Sequence, residues 1–228
     1  MQMQHRWAVC LGIALIGASG TEKIEAQVTD MNAGTTGGPW YVRATVGPSF
    51  MENTRMSLDF SQPDAQVRFT PGGRLDVSGG YQVCRYFNVE GATGVIYNRI
   101  DSIAGSFDTD AGLAQIPITV RAVFLWPNTT RLVPFAGGGC GAVVDALDIN
   151  HATIQGVSLH GNDSATAFAY EAFGGVRCHV NQSIDVSLAY EYLGSTQPEW
   201  DVNGVFPGTL VLRQPATHSV MAGVTIRF

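Results

Sequence analysis

His218-Ser-Val-Met-Ala-Gly-Val-Thr-Ile-Arg-Phe228 alternates residue by residue. Val220, Ala222, Val224, Ile226 and Phe228 fall on one side, and Ser219, Gly223, Thr225 and Arg227 on the other. Successive side chains of a strand point to opposite faces, so this stretch reads as a β-strand with one apolar and one polar face. Ser183 to Tyr192 repeats the pattern, with Ile184, Val186, Leu188, Tyr190 and Tyr192 opposed to Asp185, Ser187, Ala189 and Glu191.

Working upstream, the same test picks out three more segments. Ala114 to Trp126 sets Ile116, Ile118, Val120, Ala122, Phe124 and Trp126 against Gln115, Pro117, Thr119 and Arg121. Trp40 to Phe50 sets Trp40, Val42, Ala44, Val46 and Phe50 against Tyr41, Arg43, Thr45 and Ser49. Arg74 to Val83 sets Leu75, Val77, Tyr81 and Val83 against Arg74, Asp76, Ser78 and Gln82. Asn88 to Arg99, Arg131 to Val144 and Thr166 to Arg177 are less regular but compatible, which makes eight strands. Their connections alternate between long (about 51 to 73, 100 to 113, 145 to 165 and 193 to 217) and short (Cys84 to Phe87, Pro127 to Thr130 and Cys178 to Gln182). An up-and-down barrel in an outer membrane has this alternation of short periplasmic turns and longer external loops.

A soluble β-sandwich or lipocalin-like barrel would turn its apolar face inward and a solvated face outward. The polar face here is rich in Gly, Ser and Thr and poor in Lys, which suits a packed lumen better. Aromatic residues sort by depth: Trp40, Phe124, Trp126 and Phe228 come at periplasmic strand ends, and Phe50, Tyr97, Phe168 and Tyr192 at external ends. Such sorting builds two interfacial girdles. The expected fold is all-β, a single eight-stranded antiparallel up-and-down transmembrane β-barrel over residues 40–228.

The N-terminus fits export. His5 and Arg6 precede an apolar run from Ala8 to Ala18, too short for a membrane-spanning helix but right for a secretory signal. Cleavage after Gly20 or after Ala26 is compatible, and Ala26 is preferred. Residues 1–26 are then a removed signal and 27–39 a short periplasmic segment. Removing Arg6, Lys23, Glu22 and Glu25 lowers Lys+Arg from 13 to 11 and Asp+Glu from 19 to 17, so the net charge stays at −6. With 45% apolar and 14% charged residues the chain suits one sizeable domain, and nothing in it points to nucleic acid.

Three pieces resemble the small outer-membrane barrels of the OmpA, OmpX and OmpW type. The terminal Val224-Thr-Ile-Arg-Phe228 looks like the signal read by the barrel-assembly machinery, carried by Val224, Ile226 and Phe228. Val133-Pro-Phe-Ala-Gly-Gly-Gly-Cys-Gly141 is similar to the Pro-aromatic-x-Gly-x-Gly strand of that family, and Trp40-Tyr-Val-Arg-Ala-Thr-Val-Gly47 to its first strand. The resemblance implies fold and location and transfers no active site. The wall-binding domain of the longer OmpA-type proteins is not expected.

The polar face supplies Arg43, Arg74, Asp76, Glu90, Arg121, Arg131, Glu171, Arg177, Asp185, Glu191 and Arg227. Charges inside a narrow barrel need partners, so these read as a salt-bridge network or, more sharply, as a gated conduit whose acids and arginines exchange partners. Eight strands enclose little more than their own side chains, which argues against a general diffusion pore. A lipid A-modifying enzyme would need an activated Ser. The local candidate, His218-Ser219, places adjacent residues on opposite faces.

His151, His160 and Asp163 match no tight metal-ligand spacing. No cofactor or metal is expected. Cys84, Cys140 and Cys178 read as free thiols, because the strands carrying Cys84 and Cys178 lie across the barrel from each other. The external loops carry Phe60, Pro63, Phe69, Pro71, Pro198, Glu199, Trp200, Asp201, Phe206 and Pro207, either as a contact surface or packed on one another. The expected protein is a monomeric, non-enzymatic barrel with a structural or surface-interaction role in the envelope. Its partners are outer-membrane lipid, lipopolysaccharide, the barrel-assembly machinery and a surface ligand at the loops. The alternatives are a narrow channel for small or apolar solutes and a lipid A-modifying enzyme.

Overall fold

The computed structural model describes residues 38–58, 61–103, 109–154, 157–202 and 208–228. Residues 1–26, expected as a signal, and most of 27–39 lie outside them. Among the described residues the strands are β1 (Trp40–Met51), β2 (Thr54–Leu58), β3 (Ser61–Phe69), β4 (Gly72–Cys84), β5 (Phe87–Ile103), β6 (Thr109–Leu125), β7 (Leu132–Ile154), β8 (Val157–His179), β9 (Ile184–Ser195), β10 (Glu199–Val202), β11 (Gly208–Leu212) and β12 (Ala216–Arg227).

Eight of these close the barrel, all antiparallel: β1 pairs with β4, then β5, β6, β7, β8, β9 and β12 follow in turn, and β12 returns to β1. The stagger can be followed from Ala44. One way round, the partners are Val77, Thr93, Ile118, Ala142 and Phe168. The other way they are Val224, Val186 and Cys178. The two paths meet on β8 ten residues apart, which for eight strands tilts each by about 40°. From Trp40 to Phe50, β1 then covers about 25 Å of depth, the height of an outer-membrane apolar band.

The alternation read from the sequence holds at membrane level. Trp40, Val42, Val46, Ile118, Val120, Leu188 and Phe228 face outward and are exposed, while Arg43, Thr45, Thr119, Arg121, Ser187 and Thr225 are buried in the lumen. A polar lumen inside an apolar exterior excludes the soluble-barrel alternative.

The long connections depart from expectation. Instead of loops they continue as paired strands: β7 and β8 extend as one hairpin to Ile154 and Val157, β2 pairs with β3, and β10 with β11. β11 pairs with β2, and β3 with the upper part of β5, so the wall carries on above the membrane. The extension has its own apolar interior of Met51, Val67, Ile100, Ala111, Leu113, Leu147, Ala165, Trp200 and Leu212, with Phe69 against it. Burial of that interior is what orders these segments.

Candidate functional site

The lumen is layered, and β8 and β9 show the order directly. Ascending β9 from the periplasmic end, the inner positions are Asp185, Ser187, Ala189, Glu191, Leu193 and Ser195; descending β8, Ala167, Ala169, Glu171, Phe173 and Arg177 are buried inside. Two ionic layers therefore alternate with apolar ones.

The middle ionic layer joins six strands of the wall, β1, β4, β5, β6, β8 and β9. Arg121 donates from Nε to Glu171 Oε1 (2.7 Å) and from Nη2 to Glu171 Oε2 (2.8 Å) and Asp76 Oδ2 (3.2 Å). Arg74 donates to Asp76 Oδ2 (2.7 Å) and lies 3.1 Å from Glu191 Oε2 and 3.8 Å from Glu171 Oε2. Arg43 donates to Glu191 Oε1 (3.2 Å) and stands 3.7 Å from Glu90 Oε1, which also accepts from the Tyr41 hydroxyl (2.7 Å). All these side chains are buried. Nearer the periplasm, Asp185 holds Arg227, Arg177 and the ring of His179.

Within the two ionic layers, five arginines (Arg43, Arg74, Arg121, Arg177, Arg227) oppose five carboxylates (Asp76, Glu90, Glu171, Asp185, Glu191). The balance has a physical cause: an unmatched charge at this depth would be costly to desolvate.

Glycine makes room for the network. A Cβ on Gly139 would lie 2.7 Å from both Glu171 Oε1 and Val120 O and 3.1 Å from Arg121 Cγ, so the flat stretch of β7 lets Arg121 and Glu171 meet across it. Gly80 does the same for Tyr41, whose ring would meet a Cβ at 2.2 Å.

Below the middle ionic layer sits an apolar one of Val123, Leu125, Val133, Phe135, Phe173 and Ala189, with the Arg43 and Arg177 guanidinium groups over the Phe135 ring. Above it come Ile96, Val143, Ala167, Ala169 and Leu193. Next is a polar ring in which Thr217 donates to Gln115 (3.0 Å), Gln115 to Asp145 (2.7 Å) and Ser49 to Asn98 (3.0 Å). The apolar interior of the extension caps the stack, with Trp200 Nε1 donating to the Asp145 carbonyl (3.1 Å).

Ten of the eleven residues expected in the lumen line it. Arg131 does not: it is exposed in the turn before β7, because the strand starts at Leu132 and Leu132 already faces out. Asp145, Gln115, Asn98 and Asn88 were missed as network members. Gln115 is recognisable from its polar-face position, whereas the sequence pattern places Asp145 in the connection 145–165. The expected lumen was polar throughout, and its apolar layers were not foreseen.

The girdle residues Trp40, Phe50, Tyr97, Phe124, Trp126, Phe168 and Phe228 are exposed on the outer wall. Tyr192 is half-buried between Tyr170 and His218. Val224, Ile226 and Phe228 all point outward.

His218 and Ser219 diverge: Ser219 is buried in the lumen, and His218 stands on the outer wall. There Nε2–H donates to Glu52 Oε1 (2.7 Å), since a carboxylate accepts, and the Tyr190 hydroxyl donates to Nδ1. This bond line fastens the start of the external extension to the barrel wall.

Trp200 and Phe69 pack inward and Pro198 is buried, while Pro71 and Glu199 are exposed. Phe60, Phe206 and Pro207, and the side chains of Pro63, Asp201, His151, His160 and Asp163, lie outside the described ones. Among the described residues no disulfide joins Cys84, Cys140 and Cys178, and Cys140 is exposed on the lipid side.

Solved structures share this architecture. OprG from Pseudomonas aeruginosa is 14% identical, with 84% of this chain and 98% of that one covered and a TM-score of 0.57. Neisserial surface protein A is 15% identical, with coverage of 84% and 98% and a TM-score of 0.52. At such identity the likeness shows the fold alone. The comparison with curated proteins finds no match. The model of the outer membrane protein beta-barrel domain matches residues 11–228. With the apolar exterior, the two girdles and the closed eight-stranded wall, this match places the chain in the bacterial outer membrane as a member of the outer membrane protein beta-barrel domain family.

Proposed function

We propose that the protein is a closed, non-conducting barrel with a structural and surface-interaction role in the envelope. The supporting observation is the sequence of layers in the lumen. An ion or polar solute would have to break the Arg121–Glu171 and Arg74–Asp76 pairs in the middle ionic layer. It would also have to cross the apolar layers on either side. Leaving one member of such a buried pair uncompensated costs about 3–5 kcal/mol. The external sheet, held rigid by its own core, is the surface available to a partner outside the cell.

Among the described residues no catalytic arrangement supports an enzyme. Ser219 is sealed in the lumen on the other face from His218. The outward, exposed Val224, Ile226 and Phe228 suit docking by the barrel-assembly machinery, which belongs to the same proposal.

Conductance across planar bilayers tests it. Purified refolded protein is expected to give no stepwise current, and cells lacking it to become more sensitive to detergent. Discrete openings that change when Glu171 or Arg121 is neutralised would overturn the closed-lumen reading in favour of a narrow channel.

A further inference from the structure

The cations outside the lumen are unevenly placed. Lys23 is the chain's one lysine, so beyond it arginine supplies all the permanent positive charge. In the external extension, Arg213, Arg55, Arg68 and Arg99 occur on or beside the neighbouring strands β11, β2, β3 and β5. The external parts of β6, β7, β8 and β10 (109–117, 145–154, 157–168 and 199–202) contain no arginine or lysine, but do contain Asp110, Asp145, Asp148, Asp163, Glu199 and Asp201.

The placement is also specific in depth and direction. Arg99 lies two residues beyond the girdle residue Tyr97 on the same outward face of β5, about 5 Å further from the bilayer centre at the usual rise and tilt. That is the headgroup level, just outside the hydrocarbon. Arg68 follows on β3, opposite Ser102, and Arg55 on β2, opposite the exposed Gln66. Arg213 faces Arg55 from the next strand, its N–H donating to the Arg55 carbonyl (3.0 Å).

Whereas the lumen arginines are ion-paired, no salt bridge joins Arg55, Arg68 or Arg99 to a described carboxylate. Acids do occur in this sector. Glu52 is engaged by His218, Asp64 lies toward the tip of the β2–β3 hairpin, and exposed Asp101 follows Arg99 on β5. The base of the sheet, next to the membrane, therefore keeps an excess of guanidinium groups, whose planar fork matches phosphate.

We propose that Arg55, Arg68 and Arg99, with Gln66 between the first two, form a belt that docks the phosphorylated head of an outer-leaflet glycolipid. The occupant is a lipid because the belt faces outward and continues directly from the aromatic girdle. The inference rests on the surface role proposed above, and names its ligand class and residues.

The test uses the mature protein refolded in detergent micelles, titrated with bis-phosphorylated lipid A and with its dephosphorylated form of identical acyl chains. The wild type is expected to bind the phosphorylated form at least tenfold more tightly, with the preference shrinking as salt rises. Arg55→Gln/Arg68→Gln/Arg99→Gln is expected to abolish the preference while keeping the heat-modifiable gel band. Arg85→Gln/Arg131→Gln, altered at the other end of the barrel, is expected to keep it. Equal wild-type binding of the two lipids would overturn the proposal without any variant being needed, and leaves the conductance result untouched. Loss of preference in the Arg85/Arg131 variant, or full displacement of lipid A by inositol hexaphosphate, would also overturn it, by showing general attraction or recognition of free phosphate.

Discussion

Replacing Arg121 by methionine keeps an unbranched side chain of similar length and removes one charge from the middle of the lumen. Glu171 would lose both of its short contacts (2.7 and 2.8 Å), leaving Arg74 at 3.8 Å as its nearest cation, and Asp76 would lose one of its two. Leaving a buried partner uncompensated typically costs about 3–5 kcal/mol. With an m-value of about 2 kcal/mol per molar urea, a loss near 4 kcal/mol moves the unfolding midpoint down by about 2 M. If the penalty comes from the stranded carboxylate, Arg121→Met/Glu171→Met should recover at least about 2 kcal/mol of it, because Asp76 keeps Arg74 at 2.7 Å. The assay is urea unfolding of the barrel refolded into lipid vesicles, followed by tryptophan fluorescence and the heat-modifiable band. A single-variant loss below about 1 kcal/mol, or a double variant as unstable as the summed singles, would refute the account of a charge-balanced core.

Gly139→Val places a branched side chain against Val120 O and the Arg121–Glu171 pair, where the neighbouring backbone cannot yield, and should cost about 2–3 kcal/mol in the same titration. Gly91→Ala, with nothing near its Cβ, should lie within about 0.5 kcal/mol of wild type. In a Trp40→Phe/Trp126→Phe background the mature chain keeps Trp200 alone, and its fluorescence should resist both brominated lipid and aqueous iodide, because the ring is buried in the external core; quenching by either would show that this core is open. His218→Ala should lose about 1 kcal/mol of stability with the bonds to Glu52 and Tyr190, and leave lipid A unchanged on overexpression; a lipid A change present with wild type and absent with the variant would establish the enzyme alternative.

The strands that cross the membrane were legible because lipid imposes a single rule on them, apolar out and polar in, over about ten residues at a time. β1 and β12 obey it over most of their length, Met51 and Met221 being apolar residues that point inward. Past the outer girdle the rule inverts. On β5, Val95 and Tyr97 face lipid, but one step further the apolar residue Ile100 points inward and Arg99 and Asp101 point out. On β6, Ile116 and Ile118 face out while Leu113 and Ala111 face in. A strand whose apolar face changes sides midway reads as two weak fragments, so β7 and β8 were cut at the point where their pattern changes phase, and Asp145 was lost to a presumed loop. Arg131 was misplaced for a related reason: at a strand end, position on the alternating face carries no weight once the backbone has left the wall.

Phase inversion also explains where sequence specificity is written. Along the membrane band almost any apolar residue satisfies the lipid, so Val42, Val120 or Leu188 could exchange with similar residues at little cost. The inner positions have no such freedom. Arg121 fits only because β7 is bare of side chains at Gly139 and because Glu171, Asp76 and Glu191 converge from three other strands. A slip of any strand by one residue would send these charges into lipid and apolar residues into the charged layer. The buried network is therefore best understood as the device that fixes register and closure, while the proposed interaction falls to the external sheet, where no salt bridge joins Arg55, Arg68 or Arg99 to a described carboxylate.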